Sequence, residues 1–223
     1  MVKVVEFFRK RVGMPDDEFY DYWLGQHAGV VMGLDGVERY VQNHPLPETR
    51  TGESVFDGVV EIWFESREVM KANAARPYWA EVEADEAQFI DRTSLSLLLV
   101  EEHVIKAGEV PDGAVKSIKP TNRRADMAVE DFQSYWCNTH GPLVADLAGV
   151  VRHVQSHVLP GAYKAGKDVF CDGYGSTWFA NLDSIMAAGQ DPHHKLIDAD
   201  EPNFKALPAA APSMLLREHI IKA

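Results

Sequence analysis

The chain has 223 residues, a net charge of −12 and a pI near 5.1. An acidic balance argues against binding to nucleic acid or to an anionic membrane, because phosphate recognition needs a basic surface. Apolar residues make up 46% and charged residues 25% of the chain, the balance of a globular protein with one large or two small domains.

The first half of the chain predicts alternating strands and helices. Residues 2–9 are β-branched and aromatic, and residues 37–44, 58–64 and 95–105 show further strand patterns. Met14-Pro15 and an acidic first turn predict a helix that ends near His27. Ser66 is expected to cap a second helix that runs through Ala75 and extends with irregularity past Pro77 to Ala87. The order β-α-β-β-α-β is that of the ferredoxin-like fold.

The second half repeats the first. Residues 31–44 align without a gap on residues 144–157 with eight identities, and the two halves end on nearly the same six residues. A turn-rich linker at 108–113 separates them. We therefore predict two domains, 1–110 and 111–223. In the second copy, Gly141-Pro142 is expected to break the first helix, because proline disfavours helix in the residue before it.

A four-stranded sheet with helices on one face leaves its other face bare. Two such sheets in one chain can cover each other. We therefore predict an α+β fold, in which two tandem ferredoxin-like βαββαβ units pack their sheets into a pseudo-dimeric α/β barrel. Further homodimerisation stays open.

The cysteines and the apolar runs bear on the compartment. Cys137 and Cys171 align with Leu24 and Phe56, so they are interpreted as core residues of a protein in a reducing compartment, not as a disulfide or a metal pair. No apolar run approaches the length of a membrane span, and a charge near Met1 argues against a signal peptide. We expect a cytoplasmic protein.

One aromatic pattern, Phe-x-x-Tyr-Trp-x-x-x-His, occurs twice and ends at His27 and at His140. At about 100° per residue its four side chains share one stripe of a helix. The histidine lies at the margin of this stripe, where a polar group can reach a cavity, although a half-buried structural role is the alternative. The other candidate substrate contacts on these helices are Tyr22, Trp23, Tyr135 and Trp136, and tryptophans in such positions are more typical of a core.

Polar and aromatic residues alternate along the second strand of each unit. They are Tyr40, Gln42 and His44 in the first unit and His153, Gln155 and His157 in the second. A period of two places each set on one face, where it must be hydrogen-bonded or line a cavity. As a pocket wall, this face makes Tyr40, Gln42, His153 and Gln155 candidate substrate contacts. For His44 and His157, a catalytic position in the pocket wall and a structural role before a turn stay open. The spacing of His153 and His157, roughly 13 Å on a strand, does not favour a metal site.

These motifs resemble the EthD family of the dimeric α/β-barrel superfamily. The resemblance rests on Phe-x-x-Tyr-Trp-x-x-x-His, on Gly-Val-x-Arg-Tyr/His-Val-Gln-x-His, on Asp-Gly…Trp-Phe and on His140-Gly141-Pro142-Leu143-Val144, and it covers both halves. It implies a ferredoxin-like fold with a pocket between the sheet and the helices of each unit, but not one activity. The copies differ at Glu61, which is Ser176 in the second copy, and at Tyr78-Trp79, which is His193-His194.

Three functions follow as hypotheses. The first is a cofactor-free lyase or isomerase, dehydratase-like or cyclase-like, that acts on a small aromatic or polyketide-like carbonyl compound. Its acid–base groups would be His27 and His140, with His44 and His157 as further candidates, because imidazole moves protons near neutral pH. The second is a non-catalytic binding or accessory protein of a catabolic pathway. The third is haem binding. The six histidines of the second copy favour the C-terminal pocket as the busier one.

Overall fold

The computed structural model describes residues 1–49, 55–164, 169–209 and 211–223. The first half contains, in order, β1 Val2–Lys10, α1 Asp16–Tyr22, a π-helical turn Trp23–His27, α2 Ala28–Val31, β2 Val37–Pro45, β3 Gly58–Phe64, α3 Arg67–Ala74, α4 Tyr78–Phe89 and β4 Ile90–Lys106. The second half contains β5 Val115–Thr121, α5 Val129–Tyr135, a π-helical turn Trp136–His140, α6 Gly141–Ala145, β6 Val150–Val158, α7 Pro160–Lys164, β7 Gly173–Phe179, α8 Leu182–Gln190, α9 His194–Asp200 and β8 Met214–Lys222.

The strands follow one hydrogen-bonded order. This order is β1-β3-β2-β8-β5-β7-β6-β4 and closes as a barrel. The same antiparallel pairing joins β1 to β3 and β3 to β2 in the first repeat, and β5 to β7 and β7 to β6 in the second. The predicted fold class, two ferredoxin-like units forming an α/β barrel, is confirmed. None of the helices in the described part of the chain has the length and apolar character needed to cross a membrane.

The chain forms two compact units. The N-terminal unit comprises residues 1–99 and 218–223, and the C-terminal unit comprises residues 100–217. The last strand of each repeat, β4 or β8, is therefore divided between the units. The domain boundary proposed between residues 110 and 111 follows the sequence repeat instead of these compact units, and it stays a proposal.

The core of the N-terminal unit is aromatic. Phe8 of β1 packs edge-on against Trp23, with ring centroids 4.9 Å apart, and Phe19 packs against Phe89 at 5.7 Å. All four side chains are fully buried. Burial of such side chains contributes roughly 2–3 kcal/mol each, so this cluster fixes α1 and α4 on the sheet of their unit.

The C-terminal unit builds a smaller version of this cluster. Phe132, Trp136 and Phe204 pack together, with Met127 and Tyr135 at the edge. The Phe132 and Phe204 rings stack at 5.9 Å. The cluster therefore fixes α5 beside the segment that follows α9, as the equivalent aromatics do in the first unit.

The π-helical turns have a common cause. Gln42 donates a hydrogen bond of 2.8 Å from Nε2 to the carbonyl of Trp23, and Gln155 donates an equivalent bond of 2.9 Å to the carbonyl of Trp136. A side chain that enters the backbone ladder of a helix in this way widens the turn. Both turns end at the histidine of the aromatic pattern, and π-turns are frequent at functional sites.

Two predictions about this helix are wrong. In the first copy it does not end near His27, because α2 continues to Val31, and in the second copy Gly141-Pro142 does not break it, because the chain stays helical through α6. Pro142 lies just after the π-turn, and Gly141 before it keeps helical angles (φ −53°, ψ −49°) because it has no Cβ to clash with the proline ring. The predicted cap of α3 is confirmed, since the Ser66 hydroxyl accepts a hydrogen bond from the Val69 N–H.

Candidate functional site

A tyrosine, an aspartate and a histidine form a hydrogen-bonded group in the N-terminal unit. Nδ1 of His27 lies 2.6 Å from Oδ2 of Asp85, and the Tyr22 hydroxyl donates to Oδ1 of the same carboxylate at 2.7 Å. His27 ends the first π-turn, whereas Asp85 lies on α4. The Phe89 ring supports the imidazole at 4.7 Å.

The C-terminal unit repeats this group with its own residues. Nδ1 of His140 lies 2.9 Å from Oδ2 of Asp200, and the Tyr135 hydroxyl donates to Oδ1 at 2.6 Å. Asn203 donates a further bond to Oδ1 at 3.1 Å. The Phe204 ring lies 4.6 Å from the imidazole. The same constellation thus occurs in both halves, although its members lie 58 to 65 positions apart in the sequence.

The carboxylate determines which nitrogen of each imidazole carries the proton. Burial lowers the pKa of His140, and the hydrogen bond to Asp200 opposes this shift only in part, so the ring is neutral at pH 7. The pKa of His27 is lowered for the same reasons. Burial alone would raise the pKa of Asp200, but its hydrogen bonds from Tyr135, Asn203 and His140 lower it overall. Asp200 is therefore ionised and accepts the Nδ1–H, which leaves Nε2 as a base.

His27 faces a largely apolar cavity in the N-terminal unit. The cavity has a volume of about 280 Å³. Its apolar wall includes Val4, Val31, Leu34, Val60, Ile62 and Phe64, and its ionisable groups are His27, Glu6, Lys71 and Glu86. Burial and the charge of Glu86 raise the pKa of Glu6 to about 8, against the lowering effect of Arg92. Glu6 is therefore mostly protonated at neutral pH and can donate a hydrogen bond.

His140 faces a more polar cavity of about 230 Å³ in the C-terminal unit. Its apolar wall includes Trp136, Val144, Leu147, Phe179, Ile185 and Ile197. Its ionisable groups are His140, His153, His194, Lys119, Glu201 and Lys205. Nε2 of His27 and Nε2 of His140 make no hydrogen bond to any residue in the described ranges, so each is available to a compound bound in its cavity.

Tyr40 and Gln42 do not line the N-terminal cavity. Both are fully buried, and Gln42 donates from Nε2 to the Tyr40 hydroxyl at 2.8 Å as well as to Trp23. Their counterparts in the second unit behave differently from each other. Gln155 holds the π-turn, whereas His153 lines the C-terminal cavity and bonds Thr177 through Nδ1 at 2.9 Å.

The second pair of candidate histidines lies in ring stacks and does not line either cavity. His44 stacks on Trp23 at 4.4 Å and packs at a tilt of 41° against His219 at 4.2 Å. His157 stacks on Trp136 at 4.9 Å and packs at a tilt of 39° against His103 at 4.3 Å. Each also bonds the glutamine of its own strand through Nε2. This placement favours the structural interpretation of both residues over an acid–base role.

These stacks predict an acid-sensitive fold. Burial, with a smaller effect of the neighbouring histidine, lowers the pKa of His44 and of His157 to about 3. The unfolded chain therefore binds more protons between pH 6.5 and 3, and stability falls as the pH falls through this window. From pH 7 to pH 5 we expect a loss of about 2 kcal/mol per histidine.

Urea unfolding at both pH values checks this expectation. In His44→Phe and His157→Phe, which keep a ring in the stack but remove the titrating group, the loss from pH 7 to pH 5 is expected to shrink by about this amount. Glu6 and Glu86, whose pKa values are raised, shift stability in the opposite direction, and the comparison with wild type cancels their effect. An unchanged pH dependence in both variants would contradict the assignment.

Sequence reasoning missed the two aspartates. Asp85-Glu86 and Asp200-Glu201 recur at equivalent places of the two repeats, and each aspartate lies four positions before a buried phenylalanine. This recurrence was the available signal. It could not be connected to the histidines, because nothing local in the sequence places α4 beside the π-turn.

Comparison with known proteins identifies relatives by sequence and by fold. The family model of the EthD domain matches residues 11–93 and 124–208. Comparison with curated protein sequences gives no match. Among solved structures, an anthrone oxidase-like protein has a TM-score of 0.65 at 13% identity, covering 100% of this chain and 94% of that one.

Two further solved structures differ in how much of the chain they cover. A mutant chlorite dismutase from Candidatus Nitrospira defluvii has a TM-score of 0.55 at 8% identity, covering 97% of this chain and 91% of that one. An ethyl tert-butyl ether D family protein from Bacillus halodurans C-125 is 19% identical, with a TM-score of 0.38, and covers 46% of this chain and 99% of that one.

Proposed function

The chain belongs to the EthD family, with one domain match in each half, and from this premise we propose that it is a cofactor-independent lyase or isomerase. Its substrate is a small aromatic or polyketide-like carbonyl compound. The compound binds in a pocket between the sheet and the helices of a unit, and the histidine of the aromatic pattern moves its protons. The reaction is of the dehydratase or cyclase kind.

The observation that carries the proposal is the contact between His140 and Asp200. An ionised carboxylate 2.9 Å from Nδ1 fixes the ring and its tautomer, and it stabilises the imidazolium that forms when Nε2 accepts a proton. His27 and Asp85 repeat this arrangement at 2.6 Å. Duplication of the complete group, together with a cavity at each imidazole, supports chemistry more strongly than a packing role.

The proposed step begins with a carbon–hydrogen bond next to the carbonyl of the substrate. Nε2 takes the proton and the electron pair of the broken bond becomes the enolate. In an isomerisation, the imidazolium returns the proton to another carbon. In a dehydration, it protonates a β-hydroxyl group, which leaves as water while the enolate electrons form the new double bond. The charge on Asp200 favours the imidazolium in either case.

Hydrogen–deuterium exchange tests this step without knowledge of the natural substrate. Aryl ketones with an α-CH₂ group and their β-hydroxy analogues are incubated in D₂O, and loss of the α-proton signal is followed by NMR. We expect the wild-type protein to accelerate exchange for a subset of the panel. His27→Gln leaves the C-terminal histidine as the only proposed base, and in that background His140→Gln is expected to lower the accelerated rate at least about 10²-fold, as for loss of a general base.

The melting temperature separates chemistry from packing. Glutamine retains a hydrogen-bonding side chain next to each aspartate, so we expect both variants to melt near wild type. Full exchange activity in the double variant would contradict the proposal. Ligand-induced stabilisation without exchange would support the alternative, a non-catalytic binding or accessory protein, and a Soret band after reconstitution with haem would contradict a cofactor-free reaction.

We also propose the setting in which the protein works. The partner is a small molecule, and the fused pair of units replaces a homodimer of single-domain chains, with further self-association to be checked by light scattering. A cytoplasmic location is supported by the two free cysteines, Cys137 and the buried Cys171, since reducing compartments keep such thiols unpaired.

A further inference from the structure

The two cavities differ in charge at one equivalent position. Glu6 of β1 pairs with Val60 of β3, and Lys119 of β5 pairs with Gly175 of β7. The strand registers are the same, so Glu6 and Lys119 occupy matching places. Both side chains line the cavity of their own unit. One repeat therefore presents a carboxyl group where the other presents an ammonium group.

In the C-terminal cavity, two ammonium groups share one carboxylate. Lys119 Nζ lies 2.5 Å from Oε1 of Glu201, and Lys205 Nζ lies 3.1 Å from Oε2. The Lys205 side chain is 3% exposed. Each ammonium has three N–H donors, and Glu201 takes one from each, which leaves donors unused among the described residues. The cluster carries one excess positive charge inside the cavity.

A third group in the same cavity is a histidine with one unpaired ring nitrogen. His153 is 3% exposed, and its Nε2 makes no hydrogen bond to any residue in the described part of the chain. Burial and the nearby His140 lower the pKa of His153 to about 4, so the ring is neutral. An unsatisfied buried nitrogen is costly. In the first unit the equivalent residue is Tyr40, whose hydroxyl accepts a hydrogen bond from Gln42. The unpaired nitrogen is therefore specific to the second unit.

The N-terminal cavity has no such cluster among its described residues. Its carboxyls are Glu6 and Glu86, and its lining cation is Lys71. Nε of Arg92 lies 3.5 Å from Oε2 of Glu86. This largely apolar cavity offers little stabilisation to an anion, and a mostly protonated Glu6 suits a neutral ligand with a carbonyl or hydroxyl oxygen.

We infer that the C-terminal cavity selects a carbonyl compound that also carries an anionic group, a carboxylate or a phenolate, held by Lys119 and Lys205 beside His140, in a wall that also contains the unpaired ring nitrogen of His153. The inference rests on the proposed function and adds the substrate class. A fixed positive charge next to the base has a second effect, because it stabilises the enolate oxygen that forms during proton abstraction. The two repeats thus serve ligands of different charge.

Equilibrium binding of a matched pair of probes tests the selectivity. 2-Hydroxybenzoate and 2-hydroxybenzamide have nearly the same shape, but only the first is an anion at pH 7. By titration calorimetry, we expect the wild-type protein to bind the benzoate at least about tenfold tighter than the amide, as for loss of one charge-assisted contact. Lys119→Gln is expected to reduce this preference to about threefold or less, and Lys119→Glu to remove it.

The N-terminal repeat supplies the control. Glu6→Gln changes the equivalent position of the other cavity and is expected to leave the affinity for the benzoate unchanged. Lys119 is partly exposed, with 42% of its side chain accessible, and Lys205 still neutralises Glu201 in its absence, so both variants should fold. Equal binding of the two probes by wild type, or an equal preference in Lys119→Glu, overturns the inference.

The same measurement separates this inference from the catalytic proposal. Binding needs no turnover. If the protein prefers the benzoate through Lys119 but exchanges no α-protons, the anion site is supported and only the catalytic step is contradicted. If exchange depends on His140 but the two probes bind equally well, the catalytic step is supported and only the anion site is contradicted.

Discussion

Asp200→Asn is expected to lower the rate of proton abstraction in the C-terminal cavity by about 10³-fold, within the range seen when the orienting carboxylate of a catalytic histidine is lost. An asparagine can turn its NH₂ group toward Nδ1, which then becomes the acceptor. The proton moves to Nε2, and the cavity no longer holds a base. The measurement is kcat/KM for α-proton exchange in a His27→Gln background, so that the N-terminal cavity does not contribute.

The pH dependence of activity is expected to shift in the direction set by the pKa of His140. Because the hydrogen bond to Asp200 raises the pKa of His140 against the lowering by burial, its loss lowers that pKa further. In the wild-type protein, activity is lost as the pH falls through the pKa of His140. In Asp200→Asn, the remaining activity should fall off at a lower pH. A residual profile that shifts to higher pH would show that Asp200 acts in another way.

Two matched variants control for packing. Asp85→Asn makes the same change in the N-terminal unit, where Asp85 bonds His27 and Tyr22, and it should leave exchange in the C-terminal cavity intact. Tyr135→Phe removes one of the hydrogen bonds to Asp200 but keeps the imidazole tautomer, so about a tenfold loss or less is expected. If Tyr135→Phe and Asp200→Asn are equally inactive, loss of local packing explains both.

Glu61→Leu is expected to destabilise the fold by about 3–5 kcal/mol, as for loss of one partner of a buried ion pair. Lys3 Nζ lies 2.6 Å from Oε1 of Glu61, and their side chains are 4% and 2% exposed. The ammonium also lies 4.4 Å from the Trp63 ring. In Glu61→Leu, the charge of Lys3 stays buried and has lost its carboxylate partner. The melting temperature should fall by roughly 10 °C.

The double variant Lys3→Met/Glu61→Leu separates charge from shape. Removal of both charges with similar side-chain volume should restore most of the lost stability, because the desolvation of the ions disappears with them. Asn43 keeps its hydrogen bond to the carbonyl of Val59 at 3.0 Å. A double variant no more stable than Glu61→Leu would assign the effect to packing.

The second repeat offers a control for this ion pair. Ser176 occupies the position of Glu61, opposite Ile118 on β5 as Glu61 is opposite Val5 on β1. It is 2% exposed, and its Oγ has no hydrogen-bond partner among the described residues. Ser176→Ala is therefore expected to change stability by less than about 1 kcal/mol, or to increase it.

Only part of the candidate site could be predicted from the sequence. The aromatic pattern singled out His27 and His140 as candidates, and both line a cavity. A helical wheel could not give their direction, because the π-turns depend on a glutamine from another strand. The period of two grouped Tyr40, Gln42 and His44 as one polar face. It could not distinguish a cavity wall from a hydrogen-bonded, ring-stacked core, which is where they lie.

The sequence by itself determined the duplication, the order of strands and helices, and the family, because each of these is written in local periodicity and in residues repeated at fixed spacing. Only the tertiary structure decided which groups meet. Asp85 and Asp200 reach their histidines across 58 and 60 positions, and Lys119 meets Glu201 across 82. Such contacts depend on how α4 and its counterpart pack on the sheet of their unit, and no pattern within one element carries that information.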